Sequence, residues 1–386
     1  MKIIVNDYSG IPSIFDFASE LALKGYKVIY LTSKQINLSG NFFKTYKKNK
    51  NLRIKLIETK NKIKKDNFFS RRSIEIDYGQ QCWQIISEIK PQYCFLISLP
   101  IDPLYTLIKN CRKHKIKAIY WVQDIYFLAI KDVINKKLPF MGNLVSKIYE
   151  KKENYCFNNS FKNILIDKKF NHHFNLKRKD NLYIKNWIPL NTKKFISKKD
   201  NFFDLYKNKF KKIFIYAGTL GYKHSIETFL YLSKIIKNDL ILIISEGRFF
   251  NQLKDKIKQD KILNIKIIPR FKSFDGLLAK LNRNLIGIVN INKEAADYSV
   301  PSKILTYINS GMPIIGLMPT DNQAAKIIKK HKLGIILNNE NNYKVNELTN
   351  KWLKKTSTNC LAFAKKNFDT KKIVKQIENK VFKYEN

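Results

Sequence analysis

The stretch YSVPSKILTYINSGMPIIG, residues 298–316, reads as a polar turn, an apolar helix and an apolar strand in succession. Pro301 suits the first turn of a helix, because its φ angle is fixed and its missing N–H would have no helical partner. Gly311 is typical of a left-handed helix end, and Pro313 prevents the helix from continuing. This alternation of helix and strand is the repeating unit of a parallel α/β sheet.

The same alternation runs through both halves of the chain. Strand-like runs in the first half are KIIV, KVIYLTS, YCFLIS and KAIYWVQD, and helical patterns cover residues 13–24, 104–114 and 143–156. In the second half the strand-like runs are KIFIYAG, LILIISEG, IKIIPRF, LIGIVNI and PIIGLM, and further helices are predicted at IETFLYLSKII and SFDGLLAKLN. Residues 34–72 give only a loop and a weak helix. The pattern predicts two doubly wound α/β domains.

The length of 386 residues suits two domains of ordinary size. We place the N-terminal domain at residues 1–185 and the C-terminal domain at 213–365. Residues 186–212, with a proline and a run of lysines, are interpreted as the linker. Residues 366–386 have apolar side chains at helical spacing and are predicted as a C-terminal helix.

The charge balance is strongly basic. Lys and Arg number 73 against 31 Asp and Glu, a formal charge of +42. Such a chain is attracted to nucleic acid, an anionic membrane surface or phosphorylated substrates. A general compositional bias toward Lys, Asn and Ile is the alternative explanation. Specific nucleic-acid binding is disfavoured, because the lysines are spread along the chain instead of being grouped with aromatic residues.

Several classes of protein are disfavoured by missing motifs. The five cysteines are scattered without a C-x-x-C pair, which favours a reducing cytoplasm. The longest apolar stretch, residues 93–108, is interrupted by Pro100, Asp102 and Pro103, so we expect no membrane span, although peripheral attachment is open. The sequence has no Walker loop, no G-x-S-x-G, no H-E-x-x-H and no D-x-D pair. We therefore expect no metal ion and no cofactor.

Two segments of the C-terminal domain have residues suited to phosphate. Ser302 and Lys303 open the helix of the quoted stretch, where backbone amides and the helix dipole favour an anion. Gly218, Thr219, Gly221 and Lys223 follow a strand, where small residues allow close approach and a lysine can neutralise charge. The alternatives are an ordinary helix start and a tight turn.

Two positions of the N-terminal domain also follow strands. Gly10 lies in the turn after the first strand, where the alternative is a plain strand–helix connection. Asp124 follows the strand KAIYWV, where its carboxylate can accept a proton from an acceptor hydroxyl or orient it. The alternative for Asp124 is a cap on the next helix.

Six segments in this order resemble GT-B glycosyltransferases of the family-4 type, most closely the WbuB/WcaI-like group that builds cell-envelope polysaccharides. They are NDYSGIPS, WVQDIY, YIKNWIPL, FIYAGTLGYKHSIETF, SEGRFFNQL and VPSKILTYINSGMPII. The resemblance spans nearly the whole chain. It implies two Rossmann-like domains facing each other across a cleft, an acceptor-binding N-terminal domain, a donor-binding C-terminal domain and a C-terminal helix that returns to the first domain.

The resemblance also implies roles for individual positions. Gly10 corresponds to the glycine loop that faces the donor diphosphate, and Asp124 is the position for an acceptor-side base. The positions implied in donor binding are Gly218, Thr219, Gly221, Lys223, Glu246, Gly247, Ser302 and Lys303. Tyr298 and Thr306 stand where many relatives have glutamates, and Gln123 stands where many have histidine. We include Tyr298 and Thr306 among the donor-binding positions.

The implied function is sugar transfer from a nucleoside-diphosphate sugar, expected to be a UDP-sugar, with retention of configuration and without a metal. The implied acceptor is a lipid-diphosphate-linked glycan of lipopolysaccharide or a related envelope polysaccharide. We expect a cytoplasmic enzyme attached peripherally to the anionic inner membrane. A sugar-nucleotide epimerase and an inactive partner subunit are alternatives, kept open by Tyr298 and Thr306; a nucleic-acid-binding protein ranks below both.

Overall fold

The computed structural model describes residues 1–36, 48–59, 68–135, 141–174, 180–189, 210–269, 285–337 and 342–383. The chain divides into two compact units. Unit 1 comprises Met1–Pro189 together with Asp369–Asn386, and unit 2 comprises Leu190–Phe368. Each unit contains a parallel sheet with helices, which confirms the prediction of two Rossmann-like α/β domains.

The sheet of unit 1 has seven strands in the order β3-β2-β1-β4-β5-β6-β7, and all neighbouring pairs are parallel. The strands are β1 Lys2–Asp7, β2 Lys27–Ser33, β3 Leu52–Ile57, β4 Tyr93–Ile97, β5 Lys117–Val122, β6 Lys162–Leu165 and β7 Leu182–Tyr183. The helices are α1 Pro12–Leu23, α2 Phe68–Ile89, α3 Ile101–Lys113, α4 Tyr126–Asn135 and α5 Met141–Asn159, and a 3-10 helix covers Lys168–His173.

The sheet of unit 2 has six strands in the order β10-β9-β8-β11-β12-β13, again all parallel. The strands are β8 Ile213–Ala217, β9 Leu240–Ser245, β10 Ile265–Pro269, β11 Leu285–Asn290, β12 Ile314–Leu317 and β13 Gly334–Ile336. The helices are α6 Glu227–Ile235, α7 Phe249–Gln259, α8 Lys303–Asn309, α9 Gln323–Lys330 and α10 Asn350–Asn367, with 3-10 turns at Ala295–Asp297 and Asn342–Glu347.

The central strands form continuous apolar runs because helices cover both faces of a parallel sheet. All residues of β4, β9 and β11 are buried. In unit 1 the ring of Phe17 on α1 packs edge-on against Phe95 and Trp121, at centroid distances of 5.3 and 5.5 Å. The strands of the sheets were predicted from continuous apolar runs such as those of β4, β9 and β11.

The C-terminal residues return to unit 1. Helix α11, Thr370–Ile377, is followed by a π-helical turn over Glu378–Phe382. The indole N–H of Trp187 donates to the hydroxyl of Thr370 at 2.9 Å. The carboxylate of Glu378 accepts from Lys24 at 2.6 Å and from the hydroxyl of Tyr26 at 2.9 Å. These contacts fix the end of the chain to Trp187 and to the residues that follow helix α1.

Two elements of unit 1 were not predicted, β3 within residues 34–72 and helix α2, most of which follows residue 72. β3 is an edge strand that is mostly exposed, so the apolar run expected of a strand is absent. Helix α2 contains Gly79, an unfavourable residue in a helix interior. A Cβ at Gly79 would lie 2.8 Å from Pro103, so the glycine permits close approach of α3. The predicted helix at 273–282, the end of the run IKIIPRF and most of the predicted linker lie outside the described residues.

Candidate functional site

Apart from Gly10, which lies in unit 1, the predicted donor-binding residues belong to unit 2 and follow β8, β9 and β11 in the chain. These strands are neighbours in the sheet, with β8 between β9 and β11. In an open parallel sheet the loops at this edge are the usual place for a ligand. The loops after β8 and β9 touch each other, and helix α8 contributes a lysine.

The side chain of Lys303 lies at the end of β8. Gly218 has a φ of 135°, and a Cβ there would lie 2.3 Å from Cε and 2.8 Å from Nζ of Lys303. The ammonium lies 4.8 Å from the ring centroid of Tyr216, a distance at which a cation is attracted to the ring face. The glycine therefore makes the space that Lys303 occupies.

The loop after β8 contacts the loop after β9. The amide of Leu220 donates to the carbonyl of Glu246 at 2.8 Å. Gly247 has a φ of 107°, and a Cβ there would lie 2.7 Å from Cγ2 of Thr219. The hydroxyl of Ser245 donates to the carbonyl of Gly218 at 2.7 Å. The structure thus brings Thr219, Glu246 and Gly247 together, with the side chains of Thr219 and Glu246 exposed.

Lys223 is held by a second set of contacts. Its ammonium donates to the hydroxyl of Ser299 at 2.9 Å and lies 5.5 Å from the ring centroid of Tyr298. Tyr298 is 3% exposed, and its buried ring lies against the ammonium of Lys223. The side-chain amide of Asn322 donates to the carbonyl of Ser299 at 3.2 Å. Ser299 and Asn322 were not predicted, because both are short polar residues without a recognisable motif.

Helix α8 begins at Lys303 and has seven residues, with Ser302 exposed at its N-cap and Thr306 partly buried within it. Gly311 follows with a φ of 69°, the left-handed end that the sequence predicts. The hydroxyl of Tyr307 accepts from the amide of Ala217 at 3.1 Å and donates to the carbonyl of Ile215 at 3.2 Å. These two bonds fix the helix to β8.

His224 is a further residue of this loop. Its ring nitrogen Nδ1 lies 3.1 Å from the amide nitrogen of Gly221, and its ring meets Tyr216 edge-on at 5.9 Å. Burial, followed by the charges of Lys303 and Lys223, lowers the pKa of His224 to about 3. No sequence motif gives this histidine a role. Its place after Lys223 in a strand–helix loop is the signal that could have identified it.

In unit 1 the predicted Gly10 lies in a loop organised by a buried carboxyl group. Gly10 has a φ of 65°. The carboxylate of Asp7 accepts from the amides of Ser9 at 3.2 Å and Ile11 at 2.5 Å, and from the hydroxyl of Tyr30 at 2.9 Å. Burial raises the pKa of Asp7 to about 7 despite these bonds. Asp7 was not singled out in the sequence, since it ends an ordinary apolar strand.

Asp124 follows β5 at the same edge of the sheet as the Gly10 loop and is partly buried. The amides that open helix α4, those of Tyr126 and Phe127, donate to the carboxylate of Glu153 at 3.2 and 2.8 Å. Glu153 is fully buried, and burial raises its pKa to about 7. The side-chain oxygen of Gln123 accepts from Asn186 at 2.7 Å.

The described residues contain no group of three or more His, Cys, Asp or Glu side chains arranged to hold a metal ion. Among the described helices, none has the length and apolar character needed to cross a bilayer.

Comparison with known proteins gives a clear result for the fold. No family model and no curated protein matches the sequence. Sucrose-phosphate synthase from Thermosynechococcus elongatus superposes with a TM-score of 0.73 at 10% identity, over 100% of this chain and 99% of that one. Anabaena HepE in complex with UDP and glucose gives 0.68 at 11% identity, over 99% and 100%. WaaG, a glycosyltransferase involved in lipopolysaccharide biosynthesis, gives 0.59 at 12% identity, over 98% of both chains. The chain therefore has the GT-B fold found in glycosyltransferases.

Proposed function

We propose that the protein is a glycosyltransferase of the family-4 type that moves a sugar from a UDP-sugar, with retention and without a metal, to a lipid-diphosphate-linked glycan. The observation that carries this proposal is the placement of Lys303 against Gly218, with Lys223 in the same loop region. Two ammonium groups at the carboxyl edge of a parallel sheet suit a diphosphate. The UDP bound to HepE favours a uridine donor, and the role of WaaG favours an envelope polysaccharide.

The chemistry follows from the charge that develops on the leaving group. When the bond between the sugar and the diphosphate breaks, negative charge grows on the departing phosphate oxygen. Lys303 and Lys223 would stabilise this charge, because both are held in place before the reaction by aromatic rings and a hydroxyl. Gly221, where a Cβ would meet nothing within 4 Å, would allow the backbone to approach the donor closely. On the acceptor side, Asp124 would orient the attacking hydroxyl.

An exposed face of helix α5 supports peripheral attachment to an anionic membrane. Met141, Leu144 and Ile148 are 53%, 65% and 53% exposed, and their spacing of three and four residues places them on one helix face. Lys147 and Lys151 are exposed on the same helix. Apolar side chains bordered by lysines suit the boundary between lipid headgroups and acyl chains. The enzyme would then act at the cytoplasmic face of the inner membrane.

The first test is saturation-transfer NMR of the purified protein with UDP, GDP and their common sugars. We expect selective binding of UDP compounds, weakened in Lys303→Ala. Lys258→Ala is the matched control, because Lys258 is an exposed lysine in the last turn of helix α7 in the same unit, outside the loops that follow the strands. Absence of binding to every nucleotide, with the protein folded, would contradict the proposed donor site.

The alternative is a sugar-nucleotide epimerase or an inactive partner subunit. Both alternatives are supported by Tyr298, a buried tyrosine at a sequence position where many family-4 enzymes have a glutamate. Product analysis distinguishes the cases. An epimerase converts the free donor without an acceptor, an inactive subunit leaves it unchanged, and the proposed transferase forms a new glycan only when an acceptor is present.

A further inference from the structure

We propose that His224 binds the diphosphate of the donor by donating a hydrogen bond from its Nε2–H. This inference rests on the proposed function and extends it to a residue to which neither the motifs nor the comparisons give a role. It is carried by the contacts of the imidazole ring within unit 2.

The contacts of Nδ1 determine the tautomer of the ring. The backbone N–H of Gly221 points at Nδ1 over 3.1 Å, and a backbone amide always carries its proton. The carbonyl of Gly221 lies 3.2 Å from Nδ1 and also accepts from the backbone amide of His224 at 2.9 Å. The N–H of Gly221 decides between the tautomers, because a proton on Nδ1 would set two N–H groups against each other. Nδ1 is therefore the acceptor, and the single proton of a neutral ring is on Nε2.

The surroundings of the ring keep it neutral. Burial is the main cause that lowers the pKa of His224, and the charges of Lys303 and Lys223 lower it further, because both oppose a third positive charge. Tyr216 packs edge-on against the ring, and the ammonium of Lys303 lies over the same tyrosine. Within the described part of the chain, no carboxylate is among the groups that shift the pKa of His224. The residue thus adds a hydrogen-bond donor to a positively charged site without adding charge.

The ligand that fits this arrangement is an anion with several acceptor oxygens. The ammonium of Lys303 lies over Tyr216 at the end of β8, and that of Lys223 lies beside Ser299. The charges of both lysines act on His224, and among the described residues Nε2 has no protein hydrogen-bond partner. A diphosphate can accept from all three donors, because its oxygens point in several directions. A single carboxylate offers fewer oxygens than this set of donors can use.

The test follows the imidazole directly by NMR in the full chain labelled with 15N-histidine. The chain has five histidines, and His224→Gln assigns the resonance of interest. We expect the neutral Nε2–H tautomer from pH 5.5 to 8, and a shift of the Nε2 resonance when inorganic pyrophosphate or UDP is added. A ring that titrates near pH 6.5, or an Nε2 resonance that does not move while pyrophosphate binds, would overturn the assignment.

Two variants give an independent measurement. His224→Leu removes the donor and is expected to weaken pyrophosphate binding about 10-fold, whereas His224→Gln retains an N–H and is expected to lose less than about 3-fold. Equal affinities of wild type and folded His224→Leu would contradict the inference and leave the proposed function intact. Failure of wild type to bind either pyrophosphate or any nucleotide would overturn both.

Discussion

Lys303 and Gly218 form a matched pair, since the aliphatic end of the lysine occupies the space where any other residue at 218 would place its Cβ. That Cβ would lie 2.3 Å from Cε of Lys303, and the φ of 135° at Gly218 is itself strained for an L side chain. The position of the ammonium thus depends on a glycine in another segment of the chain.

We therefore expect Gly218→Ala to displace Lys303, lowering affinity for UDP about 10-fold and the free energy of unfolding by roughly 1–3 kcal/mol. Isothermal calorimetry and chemical denaturation measure the two effects. Gly221→Ala is the matched control for stability, because a Cβ at Gly221 meets nothing within 4 Å. An unchanged affinity in a folded Gly218→Ala protein would show that the lysine position is unimportant for binding.

The sequence predicted features that depend on local physics. The end of helix α8 at Gly311 and the buried strands follow from backbone preferences and from continuous apolar runs. The phosphate-suited loops were predicted because small residues and lysines follow strands. Thr219 lies in the loop after β8, and Lys303 is the first residue of helix α8; their role in donor binding stays a prediction.

The features that escaped prediction depend on contacts between distant segments. Asp7 and Glu153 are buried carboxyl groups that bind backbone amides, and nothing in their neighbouring residues distinguishes them from surface acids. Ser299 has a role only because Lys223, far away in the chain, reaches it. Helix α2 was missed because Gly79 reduces its helical propensity, and the reason for that glycine is its packing against Pro103.

Ser299 is expected to act through Lys223. Its hydroxyl accepts from the ammonium at 2.9 Å, so Ser299→Ala leaves the lysine less restrained above the ring of Tyr298. We expect pyrophosphate affinity to fall about 3-fold in Ser299→Ala and about 10-fold in Lys223→Met. Calorimetry of the double variant should give no loss beyond that of Lys223→Met. Additive losses would instead indicate that Ser299 contacts the ligand independently.

The exposed face of α5 is expected to determine membrane binding. Leu144→Glu combined with Ile148→Glu replaces two exposed apolar side chains by charges that anionic lipid repels. We expect at least a 10-fold loss of binding to vesicles containing phosphatidylglycerol, measured by co-sedimentation at low salt. Leu23→Glu is the control, because Leu23 is 68% exposed at the end of another helix of unit 1. Equal binding by the double variant and wild type would exclude this face as the membrane contact.

The buried carboxyl group of Asp7 is expected to make stability depend on pH. Burial raises its pKa from 3.8 to about 7, so between these values the folded state holds a proton that the unfolded state has released. The unfolding free energy therefore falls as pH rises from about 4 to 7, by up to roughly 1.4 kcal/mol per pH unit and roughly 3 to 4 kcal/mol in total. Below pH 3.8 Asp7 becomes protonated in both states, and this contribution is fully present.

Asp7→Asn removes this titration. The amides of Ser9 and Ile11 bond to different oxygens of Asp7, and asparagine keeps only one of these oxygens. The variant is therefore expected to be less stable than wild type at pH 4. The difference in unfolding free energy between wild type and Asp7→Asn should narrow as pH rises to 7, because only wild type has a buried group that must ionise. Urea denaturation at pH 4.5, 6 and 7.5 measures this, with Glu58→Gln as the control, since the side chain of Glu58 is 64% exposed. If the difference in unfolding free energy between the two proteins stays constant from pH 4.5 to 7.5, Asp7 is ionised throughout. Its hydrogen bonds would then lower its pKa more than burial raises it.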